Sequence, residues 1–204
     1  MGKHFLLILG WFVLNSGLLS GQVVDGIAAV VNDDVITFSD VRKNADSAER
    51  GLREKYPADK GKLLEGVKAA RIKALNDLID RRLIIQEFKK NGFSVPESVV
   101  NERINRIVQD QFKGNWDELT KALKAQGVLY EEFRIDIKEN TIVQAMRQKN
   151  VDMAARDELK ALHLPIPITD GTPEQQEAYS KAKERKRLEW TAGLRTSAYI
   201  KAFF

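Results

Sequence analysis

The chain has 204 residues, no cysteine and a formal charge of +4, from 33 basic against 29 acidic side chains. Without cysteine, neither a disulfide framework nor a thiolate metal site is available, and an oxidising compartment is tolerated. The near-balance of charge does not suggest a nucleic-acid binder.

Lys3 and His4 precede an apolar stretch over residues 5–14 that runs on less purely to Leu19. This is the layout of a secretory signal peptide. A span needs about 20 mostly apolar residues, and Asn15, Ser16 and Gly17 interrupt this one. Residues 1–21 are therefore read as an exported leader cleaved after Gly21, with an uncleaved anchor in the inner membrane as the alternative. Gln22 would then be the first of 183 remaining residues, enough for one domain burying roughly 70% of its unfolded surface.

Residues 23–31 (VVDGIAAVV) and 34–38 (DVITF) flank Asn32 and Asp33. β-branched runs around an Asn-Asp pair predict a hairpin, because both residues tolerate the left-handed conformations of tight turns. The first run is apolar on both faces and is expected to be covered on both. Ser39 and Asp40 cap the first predicted helix, whose stripe is Val41, Ala45, Ala48 and Leu52. A polar segment with Tyr56, Pro57 and Gly61 leads into a long helix with Ile72, Leu75, Ile79 and Leu83 on one face, flanked by Leu78, Ile85 and Phe88. Asn91 and Gly92 end it.

Pro96 and Glu97 open a further helix with Val100, Ile104, Ile107, Val108 and Phe112 on its buried face. A short helix over 117–126 is closed by Gly127, and the next begins near Tyr130 and carries Phe133, Ile137, Ile142 and Met146. Residues 151–171, with Pro165, Pro167 and Gly171, read as an irregular linker. Thr172, Pro173 and Gln175 form a capping box with proline at the first helical position. The helix they open is expected to run to about Ala192 and to end at Gly193. Residues 196–204 (TSAYIKAFF) read as a strand, and the hairpin far upstream is its obvious partner. The fold class is thus mainly α, with a small antiparallel sheet made by the amino-terminal hairpin and the carboxy-terminal strand.

Catalytic chemistry has no evident seat. Once the leader is removed His163 is the only histidine, and it reads as a solvated loop residue; nucleophilic triads need neighbours that the sequence does not advertise. There is no P-loop, no glycine-rich dinucleotide turn and no histidine pair spaced for zinc. Asp33 and Asp34 are turn formers rather than a cation site. No catalytic residue, cofactor or metal ligand is assigned. The basic run Lys181, Lys183, Arg185, Lys186 and Arg187 could touch lipid head groups or phosphate, although a solvated helix face is the commoner use of such a run.

The hairpin VVDGIAAVVNDDVITFSDV, the helical phrase LIDRRLIIQEFKKNGFSVPESVVNERI and the later GVLYEEFRIDIKENTIVQAMR resemble the amino-terminal domain of the SurA family of periplasmic chaperones for outer-membrane proteins. The ending RTSAYIKAFF resembles that family's terminal strand. The resemblance implies a chaperone core over 22–150 completed by 172–204, with 151–171 standing where parvulin-type prolyl isomerase domains sit in the family. A parvulin domain needs on the order of 100 residues, and its paired active-site histidines have no counterpart when only His163 remains. The implied activity is ATP-independent binding of unfolded outer-membrane proteins, without enzymatic chemistry, in the periplasm.

A holdase needs accessible apolar and aromatic side chains. Phe112, Trp116, Tyr130 and Phe133 are the candidates for contacting a client, with ordinary core as the competing use of Phe112 and Phe133. A foldase of the prolyl isomerase type, membrane-tethered or not, and a non-catalytic partner dedicated to one assembly remain as alternatives. The sequence is silent on oligomeric state.

Overall fold

The computed structural model describes residues 25–164 and 171–203. The predicted leader and Val23 and Val24 lie outside the described residues, as do Pro165, Pro167 and Phe204. Two strands, β1 (Ile27–Val31) and β2 (Asp34–Thr37), are followed by α1 (Phe38–Lys55), α2 (Lys60–Lys90), α3 (Glu97–Phe112), α4 (Trp116–Ala125) and α5 (Tyr130–Arg147). A π-helical turn (Gln148–Met153) leads into α6 (Ala154–Ala161), and α7 (Pro173–Thr196) and β3 (Ile200–Ala202) complete the order.

The hairpin turns as expected on Asn32, whose φ is +52°. β1 pairs with β2 and β3, both antiparallel, and lies between them. Its core face carries Ala29 and Val31, joined by Ile36 of β2, all buried. Ala28, at the bulge in the β1–β2 register, belongs to the same core cluster, and the opposite face is poorly covered: Val30 is intermediate and Val35 of β2 is 46% exposed. The expectation that β1 is covered on both faces is therefore not met on the Val30 side.

Asn32 is a junction as well as a turn. Its N–H donates to the Tyr199 carbonyl at 2.8 Å, and its side-chain oxygen accepts from the Tyr199 N–H at 2.8 Å. Its amide nitrogen donates to Gln86 Oε1 of α2 at 2.6 Å. Gln86 in turn donates to the Val31 carbonyl at 3.1 Å and to the Asp34 carboxylate at 2.8 Å. Two amide side chains thus tie the hairpin, the long helix and the last strand together.

The first helix starts one residue earlier than its predicted cap. Thr37 is the N-cap: its hydroxyl accepts from the Asp40 N–H at 3.2 Å and its own N–H donates to the Asp40 carboxylate at 3.0 Å. Phe38, read as strand, is the first helical residue. The stripe also differs: Val41 and Ala45 are buried, but Ala48 is exposed and Glu49 is buried at 5% exposure. Helical geometry brings Glu49 under the same face as Val41 and Ala45, and α2 supplies its partner. Arg71 donates to the Glu49 carboxylate at 2.7 Å and 3.3 Å, and Arg53 at 3.0 Å.

Along α2 the predicted face is observed for Leu75, Ile79 and Leu83, whereas Ile72 is 42% exposed. Gly92 and Gly127, at φ +73° and +67°, terminate α2 and α4 with paired bonds from the glycine and the residue after it back to the last turn. α3 keeps Val100, Ile104 and Val108 buried, while Ile107 and Phe112 are half-buried.

Two expectations near the end of the chain are corrected. The segment 151–171 is not irregular throughout, because the π-turn and α6 carry helical structure to Ala161. Val151, Ala155 and Leu159 recur every fourth residue and are buried, the last two against Ala182 and Tyr179 of α7. This small core is made largely of alanine, which weakens the sequence signal. His163, at φ +55°, closes α6: its N–H donates to the Lys160 carbonyl and that of Leu164 to Leu159.

Gly193 does not end α7, which runs to Thr196 and leaves only three residues in β3. The extra turn is held from outside. Leu194 packs on the core, and Arg195 donates to Asp80 of α2 at 2.7 Å and to the Asn76 carbonyl at 3.2 Å. The Thr172, Pro173 and Gln175 capping box forms as predicted.

Removing residues 196–204 is expected to uncover Ala29 and Val31 and leave one edge of β1 unpaired. The thermal midpoint should fall on the order of 5–10 °C, measured by circular dichroism; an unchanged midpoint would place the closing seam elsewhere. Glu49 makes a second prediction. The hydrogen bond from Arg71 holds its carboxyl below the usual range, outweighing burial, which pushes the other way, and the Arg71 and Arg53 charges add to the lowering. A carboxyl with a lowered folded pKa stabilises fully above its unfolded value of about 4.3, and that contribution disappears as pH falls through the folded value. Glu49→Ala should cost about 1–3 kcal/mol at neutral pH, the partial exposure of Arg71 keeping it from more. The difference between variant and unaltered protein in urea titrations should shrink on acidification below pH ~4.

Candidate client-binding surfaces

Helices α3, α4 and α5 form a lobe with its own core of Val100, Ile104, Val108, Leu119, Leu123 and Ile137. Turn chemistry decides which aromatics lie at its surface. Asn115 caps α4, accepting from the N–H groups of Asp117 and Glu118 at 3.0 Å and 3.2 Å, which puts Trp116 in the first helical position at 44% exposure. Tyr130 opens α5 and is also 44% exposed.

The four predicted contact residues therefore divide in two. Phe112 and Phe133 are half-buried and pack against the lobe's core. Trp116 and Tyr130 are exposed, and only Tyr130 and Phe133 are brought together, with ring centroids 6.3 Å apart. Leu129 at 67% exposure and Ile135 at 51% extend the apolar surface of α5. Both escape a reading by periodicity: Leu129 occupies an N-cap, where a polar side chain is usual, and Ile135 lies off the buried stripe. An apolar residue in a position that favours a polar one was the available signal.

Charge pins the lobe's aromatic end. Arg134 reaches Glu97 at 2.6 Å and Asn101 at 2.8 Å, and Lys138 reaches Glu97 at 3.0 Å. The Glu97 carboxyl is lowered from its ordinary range, first by the Lys138 hydrogen bond and charge and then by Arg134. On the other flank Arg81 holds Glu139 at 3.0 Å and Asn140 at 2.6 Å, joining α2 to α5.

Between α1 and α2 on one side and α5, the π-turn and α7 on the other lies a groove of about 1110 Å³. Its walls include Asn44, Asp77, Asn140, Gln144, Arg147 and Lys183. Asn140 and Gln144 accept from Arg81 and Arg103 through their oxygens, which leaves their amide nitrogens free to donate. Most of its lining side chains are charged or polar, and Val143 and Val151 are the aliphatic ones.

The basic run on α7 is fully engaged. Lys181 pairs with Glu177 at 2.7 Å, Lys183 with Asp152 at 2.5 Å, Lys186 with Glu158 at 3.0 Å, and Arg187 with Glu184 at 2.5 Å. Arg185 pairs with Glu158. Three of the five thus reach across to the π-turn and α6, and the run is explained as the charged side of a helix-helix contact. Among the described residues no group of three or more histidine or acidic side chains is placed to hold a metal ion, and no helix is long and apolar enough to cross a membrane.

Comparison with known proteins places this arrangement. The chain is similar to the chaperone SurA of Hahella chejuensis, 26% identical over 178 residues, which are 85% of this chain and 39% of that protein. It is similar to the chaperone SurA of Vibrio vulnificus at 28% over 216 aligned residues, 95% of this chain and 48% of the relative. The Bordetella pertussis chaperone SurA is 32% identical over 133 residues, 65% of this chain and 24% of that one. The chain thus spans less than half the length of these relatives. One solved structure, from work describing PEB4 and Cj1289 of Campylobacter jejuni as two structurally related SurA-like chaperones, aligns at a TM-score of 0.47 and 16% identity. It covers 88% of this chain and 99% of that one. The family described as the SurA-like N-terminal domain matches residues 4–147, and the chain belongs to that family.

Proposed function

We propose that this domain is an ATP-independent holdase of the periplasm that binds unfolded outer-membrane proteins. Family membership over residues 4–147 carries the reading, and the surface of the α3–α5 lobe supports it. Trp116, Leu129, Tyr130 and Ile135 are exposed on a lobe whose own core is already filled. Such side chains serve a partner better than they serve the fold.

Binding without chemistry suffices. A chaperone that binds the unfolded client lowers the free concentration of the aggregating species by mass action, and many modest contacts suit many sequences. Between α5 and α7 the described residues hold the π-turn and α6 rather than a catalytic domain, and His163 serves as a helix terminator. Catalysed prolyl isomerisation is therefore the weaker reading. Peripheral membrane contact through Lys181, Lys183, Arg185, Lys186 and Arg187 is weakened in the same way, since each already faces a carboxylate. Export through residues 1–21 and the division into 22–150, 151–171 and 172–204 belong to the same proposal.

The test is light scattering from a urea-denatured porin diluted into buffer with the purified protein spanning residues 22–204. Near-stoichiometric protein should suppress scattering, and no effect at excess sinks the reading. The double variant Trp116→Ala, Tyr130→Ala should need roughly fivefold more protein for the same suppression. Its thermal midpoint should match that of the unaltered protein, because neither ring is buried.

A further inference from the structure

The sheet has an open edge. Phe203 donates its N–H to the Ala28 carbonyl at 2.9 Å, and Asn32 donates to the Tyr199 carbonyl at 2.8 Å. Hydrogen-bonded and non-hydrogen-bonded pairs alternate along an antiparallel ladder. With Ala29 opposite Ala202, Val30 opposite Lys201 and Val31 opposite Ile200, the N–H and C=O groups of Ile200 and Ala202 must point away from β1. No described residue pairs with them.

The face beside that edge is apolar. Side chains alternate across a strand, so Tyr199, Lys201 and Phe203 share the face of Val30 and Val35, opposite the core. Tyr199 is 61% exposed, Phe203 50% and Val35 46%. The Lys201 ammonium lies 5.1 Å from the Phe203 ring centroid.

We propose that the outer edge of β3 receives an extended segment of an unfolded client as a fourth strand. Ile200 and Ala202 would supply its main-chain bonds, and alternate client side chains would pack beside Tyr199 and Phe203. This deepens the chaperone reading and rests on it. Main-chain pairing makes affinity tolerant of sequence, and strands of outer-membrane barrels alternate apolar and polar residues over about 10 positions. Charge selects a foreign strand over a second copy. Antiparallel pairing of two β3 edges about their centre sets Lys201 opposite Lys201, and like charges directly opposite destabilise a sheet. A client residue that is neutral or acidic at that position meets no such penalty.

The probe is a fluorescein-labelled ten-residue peptide that alternates aromatic or aliphatic with uncharged polar residues, together with the same peptide N-methylated at every second residue. At saturation, amide exchange followed by NMR should slow about tenfold at Ile200 and Ala202 and change little at Lys201, which is already bonded inward. N-methylation of the bonding edge should cost about tenfold in affinity. Ala202→Pro removes only an outward N–H, which an edge strand tolerates, so it should lose about tenfold in affinity with an unchanged thermal midpoint. Should that variant misfold, the N-methylated peptide on the unaltered protein still decides. Unchanged exchange at saturation overturns the proposal. So does full affinity for the N-methylated peptide, or peptide-free dimerisation in the ultracentrifuge that Ala202→Pro abolishes, which would assign the edge to a second copy. Porin protection retained with unchanged exchange overturns strand addition and leaves the holdase standing. Loss of porin protection by the unaltered protein overturns both.

Discussion

The pairing of β1 with β3 is the constraint on which the architecture depends. It joins segments 167 residues apart through Asn32 and Tyr199, and everything between them is folded inside that closure. A three-residue strand provides few bonds, so the seam is secured from two further directions. Gln86 fastens the hairpin turn to α2, and Arg195 fastens the end of α7 to Asp80 and Asn76 of the same helix. α2 is thus the common post to which both ends of the closure are tied.

Away from the sheet, the helices are held by modest apolar clusters supplemented by charge. α6 and α7 share a core of Ala155, Leu159 and Ala182, too small to fix their relative position alone. Asp152 and Glu158 on one side, and Lys183, Arg185 and Lys186 on the other, supply the remaining specificity. Exposed pairs of this kind contribute little each. Glu49 is different, because its burial makes the Arg71 bond a requirement rather than an option.

This economy leaves apolar surface unspent. The α3–α5 lobe fills its interior with aliphatic residues and carries Trp116, Leu129 and Tyr130 outside, while the outer sheet face carries Val35, Tyr199 and Phe203. The two surfaces differ in kind. The lobe offers side chains alone, whereas the sheet offers side chains beside main-chain groups that no described residue pairs. The large groove bounded by α1, α2, α5, the π-turn and α7 is lined mostly by charged and amide side chains.

Much of this was legible in the sequence. The Asn32 turn, the Thr172 capping box, the stops at Gly92 and Gly127 and the stripe of α3 follow from local rules, because each depends on residues within one or two turns of one another. The pairing of the two ends followed from a different rule, that a terminal strand needs a partner and the hairpin is the obvious one, and the family resemblance agreed with it. What escaped was set by distant partners. Glu49 looks like one more surface acid until Arg71, 22 residues on, is placed beside it. Gly193 looks like a helix stop until Leu194 and Arg195 find α2. Residues 151–161 look like linker until α7 covers their alanines. The sequence nominated Phe112, Trp116, Tyr130 and Phe133 and already gave Phe112 and Phe133 ordinary core as a competing use; the structure leaves that pair half-buried against the lobe's core and Trp116 and Tyr130 exposed. The sequence by itself determined the hairpin, most of the helices, the Thr172 cap and the stops at Gly92 and Gly127, since these are energies of neighbours along the chain. The tertiary structure alone decided which charges are buried, which aromatics face outward and which strand edge stays open, since these depend on contacts that exist only once the chain has closed on itself.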